Sequence, residues 1–175
     1  MVLDLLIALV IVYLVMAVLF ESFLYPLIII FSVPLAAAGG VIGLVILSLF
    51  QHQNLDMLTL LGFVILVGIV VNNAILLVHQ TLHQFRSEGL SETDAIIEAT
   101  RNRIRPIFMS TLTSVLGMMP LVLFPGAGAE LYRGLGSVVI GGLTLSAALT
   151  LIIIPSLLSI FMVPIEKYNK KQLVI

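Results

Sequence analysis

The chain has 175 residues, 61% of them hydrophobic and only 10% charged, with a net charge of −1 and a mean hydropathy of +1.24. A water-soluble domain carries about 25% charged residues, so this composition excludes a soluble globule and makes lipid part of the solvent. The absence of a basic stripe and of cysteine argues against nucleic-acid binding, disulfides and thiolate-held metals or clusters.

Uncharged runs long enough to cross a bilayer occur five times, and in lipid their backbone polar groups must be satisfied within each segment. The predicted fold is therefore all-α: a polytopic membrane helix bundle of about five transmembrane helices plus a short cytoplasmic-face helix. No ten-residue polar–apolar alternation supports a barrel. The spans are expected at 3–20, 26–49, 57–79, 106–125 and 136–163, in one membrane domain.

The first span starts directly after Met1, with Asp4 early and no basic residue before it, unlike a secretory signal. This start suggests a fragment of a larger protein. The second run carries Pro34 and the fifth Pro155. Both runs exceed one straight crossing, so tilt, a kink or an interfacial end is expected. Gly39 and Gly43 form a GxxxG pair, and Ser137 and Gly141 a second small-xxx-small pair, suited to close helix packing. Gly62 and Gly68 in the third span are expected to serve packing as well.

The third span contains Asn72-Asn73. The two amides project about 100° apart on a helix, with Asn73 on the face of Gly62. Polar groups this deep either hydrogen-bond between helices or join a polar relay. His79 and His83 have i, i+4 spacing but no third ligand beside them, so no metal site is expected there or at His52.

Between the third and fourth spans, Ser91-Glu-Thr-Asp94 reads as a capping box that opens a short interfacial helix over 91–102. The fourth span enters through Arg101, Arg103, Arg105 and Pro106, and Arg103 shares a helical stripe with Ser110 and Ser114. A break at Pro106 would scramble that phase. The arginines suit headgroup anchoring as well as the mouth of a polar channel. Seven of the eight basic residues fall on one side of the membrane, which makes that side, and the C-terminus, cytoplasmic. No nucleophile–base constellation or nucleotide loop is present, so an enzyme is not expected.

Several longer motifs occur in order: Phe20-Glu-Ser-Phe23 with Pro26 and Val33-Pro34, Gly68-Ile-Val-Val-Asn-Asn-Ala-Ile-Leu76, Arg103-Ile-Arg-Pro-Ile-Phe-Met-Ser-Thr111, Gly117-Met-Met-Pro120 and Gly126-Ala-Gly-Ala-Glu-Leu-Tyr-Arg-Gly-Leu-Gly136. Together they resemble the C-terminal transmembrane half of resistance–nodulation–division (RND) efflux transporters, of the branch that exports hydrophobic and amphiphilic compounds. The resemblance covers about residues 5–165. It implies a proton/substrate antiporter driven by the proton-motive force, with no cofactor, in a bacterial inner membrane. It implies a proton relay that includes Asn72, Asn73, Arg103 and Ser110. Asn72 stands where well-known drug pumps have a lysine, and Ser110 where a threonine is usual. The resemblance further implies that the relay's aspartate pair and the periplasmic porter domain lie in an N-terminal half outside this chain. The implied assembly is a homotrimer with a periplasmic adaptor and an outer-membrane channel. The alternative expectation is a truncated, non-transporting module that packs with another membrane protein.

Overall fold

A computed structural model describes residues 2–50, 55–124, 126 and 128–172. The described residues form six helices: α1 (Val2–Phe20), α2 (Leu24–Ile30), α3 (Ser32–Phe50), α4 (Met57–Ser87), α5 (Glu92–Leu123) and α6 (Ala129–Gln172). Four stretches are long and apolar enough to cross a membrane: Leu24–Phe50, Met57–Ser87, Glu92–Leu123 and Leu131–Phe161. At 1.5 Å per residue the 19 residues of α1 extend about 28 Å, close to the hydrocarbon thickness. The architecture is a multi-pass helical membrane bundle.

The breaks between helices have local causes. After α1 the backbone reverses through Glu21, at φ +50°, and Ser22 Oγ accepts from the Leu24 N–H at 3.3 Å. The second crossing is interrupted at Phe31, between α2 and α3. Pro34, three residues on, has no N–H for the Ile30 carbonyl and its ring crowds that oxygen, so the preceding turn ends there. Pro155, by contrast, lies inside the 44-residue α6 without dividing it.

The expected separate helix over 91–102 is not a separate element. It is the first third of α5, which runs unbroken through Pro106 and Pro120. Pro106 removes the hydrogen bond to Asn102, but both residues are exposed, so the freed carbonyl need not be buried unpaired. The phase from Arg103 to Ser110 is therefore continuous. The start of α5 uses the expected cap: Ser91 Oγ accepts from the Asp94 N–H at 3.3 Å and donates to Asp94 Oδ2 at 2.6 Å. Gly89, at φ +63°, makes the preceding turn in the left-handed region that glycine tolerates. The predicted ends also move outward, because helices 31 and 32 residues long continue past the hydrocarbon.

α6 is the central helix and packs on α3, α4 and α5. Its seam with α3 is made of backbone. A Cβ on Gly141 would lie 2.7 Å from Gly43 Cα, and one on Gly39 would lie 2.8 Å from the Gly141 carbonyl oxygen. A Cβ on Gly43 would collide with the Ser137 carbonyl. Ser137 Oγ closes the seam by donating to the Gly43 carbonyl at 3.1 Å. Gly62 lets α4 approach Leu135, whose Cα would be 3.2 Å from a Cβ there. Gly68 departs from the expectation. A Cβ at this position would meet no atom within 4 Å, because Gly68 lies on the exposed stripe with Asn72, Leu76, His79 and His83.

Candidate functional site

α4 and α5 are joined by a turn of four residues, so they run antiparallel. The face that α5 buries carries Ile107 and Thr111. One quarter-turn round from it lies the stripe of Arg103, Ser110 and Ser114. Arg103 is half-buried, and its Nη2 donates to Gln80 Oε1 of α4 at 3.3 Å. This hydrogen bond joins residues 23 positions apart and fixes the register of the two helices. Seven residues along each helix from this contact, away from the turn, Asn73 and Ser110 come level. Seven residues is two turns, a rise of about 10.5 Å. Gln80 and Asn73 thus occupy one stripe of α4, and Arg103 and Ser110 the matching stripe of α5.

The members of this interface differ in exposure. Asn73 and Gln80 are half-buried, whereas Asn72 and Ser110 are exposed. Ser110 Oγ donates to the Ile107 carbonyl of its own helix at 3.0 Å, a backbone contact it must release to hand a proton elsewhere. The neighbouring Thr111 is buried, and its Oγ1 has no partner. Asn72 belongs to the exposed stripe that includes Gly68, about 100° round the helix from Asn73. The structure therefore joins Arg103 to Gln80 across the two helices, leaves Asn73 and Ser110 two turns further along the same stripes, and turns Asn72 to an exposed face of α4. His79 and His83 are exposed, and His83 Nδ1 lies 3.2 Å from Ser87 Oγ. His52 lies outside the described residues.

Sequence reasoning passed over Gln80. It is an uncharged amide near the end of a long span, and only its position seven residues after Asn73 could have drawn notice. Gln84, one turn further, is also buried, with Oε1 unpartnered.

Chemically, this junction combines a permanent cation, two amides and a hydroxyl. The guanidinium cannot deprotonate at any ordinary pH. It can hold a carboxylate in its ionised form and release it when that carboxylate is protonated. Amides and hydroxyls can donate and accept in the same place, so they can pass a proton through water without carrying charge.

The family model for the AcrB/AcrD/AcrF family matches residues 1–162. The chain belongs to this family. The match takes in α1 to α5 and most of α6, so the motifs that carried the resemblance and the α4–α5 junction all lie within it. The chain is thus membrane-embedded sequence of an RND-type efflux transporter. Within the matched region, Arg103 of α5 meets Gln80 of α4.

Proposed function

We propose that α4 and α5 supply part of the proton relay of an efflux permease that exchanges protons for hydrophobic or amphiphilic compounds. The observation that carries this reading is the Arg103–Gln80 hydrogen bond across the two helices. Charged side chains on membrane helices usually face the bundle interior or a water path and pair with polar partners, and such residues mark ion pathways. Here Gln80 holds the cation between two helices, and Asn73 and Ser110 extend a polar path from it.

In this reading a carboxylate pair on a helix of the transporter's other half meets the junction. When the pair is ionised, Arg103 and the amides hold it. When protonation neutralises the pair, that attraction weakens and the helices shift. Asn72 can hydrogen-bond such a carboxylate from the junction's edge but cannot neutralise it, which leaves Arg103 as the principal charge. Each proton that crosses brings about 2.3 kcal/mol per 100 mV of membrane potential. Substrate binding, trimer formation, and docking to an adaptor and an outer-membrane channel would belong to the parts of the transporter beyond these helices. The chain performs no bond chemistry in this scheme.

The test replaces Arg103 by Ala, Ser110 by Ala and Asn73 by Ala in the complete transporter, followed by energised efflux of an amphiphilic fluorescent dye from cells lacking other pumps. Arg103→Ala should reduce export to background, with normal protein levels in the membrane. Ser110→Ala and Asn73→Ala should slow export. Wild-type rates in all three variants would remove the relay assignment.

A further inference from the structure

The three arginines at the entry to the fourth crossing do not share one face of α5. Successive residues on a helix project about 100° apart, so Arg101 and Arg105, each two positions from Arg103, point almost opposite to it. Arg103 turns to α4 and meets Gln80, whereas Arg101 and Arg105 are exposed. Among the described residues, neither of these two guanidiniums makes an ion pair or a hydrogen bond. The Asp94 carboxylate, on the same side of the helix, accepts from the Ser91 hydroxyl instead. Arg101 and Arg105 stand one turn apart, so both can reach a single anion, and guanidiniums match the geometry of phosphate oxygens.

The stripe that continues from them is hydrocarbon only. Phe108, Leu112, Leu116, Met119 and Leu123 follow at steps of three and four residues, and all are exposed. None of the five is a glycine, alanine, serine or threonine, the residues by which helices pack closely in lipid and by which α3 and α6 pack here. α5 is also the least covered of the long crossings: 11% of its apolar stretch is buried, against 50% in α6. Large apolar side chains without a small residue among them suit acyl chains better than a second helix. From Phe108 to Leu123 the stripe rises about 22 Å, most of the hydrocarbon thickness of about 30 Å. Arg105 stands one turn before its start. The arginine pair therefore reaches headgroup depth, in the leaflet that meets the α4–α5 turn.

A pair of free cations at the head of an all-hydrocarbon stripe is complementary to a lipid with an anionic head. We propose that Arg101 and Arg105 hold the phosphate of an anionic phospholipid, whose acyl chain lies along Phe108 and Leu112. The lipid anchors the outer face of α5 and leaves the opposite face to Arg103 and Gln80. The site shares no residue with the relay, and neither assignment needs the other.

The complete transporter, placed in nanodiscs of equal phosphatidylglycerol and phosphatidylethanolamine and then released for native mass spectrometry, tests the site. The wild type should retain phosphatidylglycerol in preference to phosphatidylethanolamine. Replacing both Arg101 and Arg105 by Gln should lower that preference about tenfold, the equivalent of one charge-assisted hydrogen bond, while replacing both by Lys should keep most of it. Arg103→Gln removes a charge from the opposite face and should leave the preference unchanged. A photo-crosslinker at Leu112 should capture lipid. Four results would overturn the proposal: no preference in the wild type, an unchanged preference in the double Gln variant, a loss in Arg103→Gln as large as in that variant, or capture of another protein helix at Leu112 in place of lipid.

Discussion

The α3–α6 seam and the α4–α5 junction are both places where two helices meet, but they are built from opposite materials. At the seam, Gly39, Gly43 and Gly141 bring backbone against backbone, and added atoms at these glycines would overlap the other helix. At the junction, the contact is made by the ends of long polar side chains, Arg103 and Gln80, and Ser110 and Asn72 stand exposed beside it. In lipid there is little hydrophobic force between helices, so close van der Waals packing is the main source of cohesion. The seam supplies that cohesion. The junction is looser, and its polar groups can exchange partners. The proposed relay uses both: a pair of helices that stays fixed, and another that moves when charge changes.

The sharpest way to break this comparison is to overpack the seam. Gly141→Leu places a side chain where even a Cβ would lie 2.7 Å from the Gly43 backbone. It should destabilise the bundle by about 3 kcal/mol or prevent its accumulation in the membrane. Unfolding in a denaturing detergent, followed by circular dichroism, measures the change. A Gly141→Leu protein as stable as the wild type would mean that the backbones can separate there at little cost.

The junction should respond in smaller energetic steps and larger functional ones. Gln80→Leu leaves the Arg103 guanidinium without its neighbour and should cost about 1 kcal/mol of stability, the usual value of one hydrogen bond. In a double-mutant cycle with Arg103→Ala, the coupling should be about 0.5–1.5 kcal/mol. Additive effects would show that the two side chains act separately.

The smallest effect belongs to Gly68. It sits inside α4 with open space around its Cα. Gly68→Ala should therefore be neutral or stabilising, by about 0.5–1 kcal/mol from helix propensity alone. The same unfolding assay distinguishes it from Gly141→Leu. A strong loss of stability at Gly68 would show that another surface approaches this face of α4.

Much of this contrast was legible in the sequence, and the reasons are specific. Gly39 and Gly43 share a face because of their spacing, and Gly141 lies on one face with Ser137. Helical period and small size alone marked these residues as packing positions. Arg103 and Ser110 fell on one stripe by the same arithmetic, which holds because α5 stays helical through Pro106. Gly68 misled because spacing cannot tell a glycine that meets a neighbour from one that meets none. Gln80 went unnoticed for a related reason. A polar residue near the end of a span reads as an interfacial anchor, and only its neighbours show whether it is buried.

Composition and helical period by themselves determined the solvent, the helical class, the near-complete set of crossings and the pairing of residues on each face. Those properties depend on transfer free energy and on a fixed angle per residue, and both are local. Only the tertiary structure decided which face meets which helix: that Arg103 reaches Gln80, that Asn72 lies exposed, and that Arg133 is buried. These outcomes depend on the relative rotation and register of separate helices, which distant backbone contacts such as Gly43 against Gly141 set and no single segment encodes.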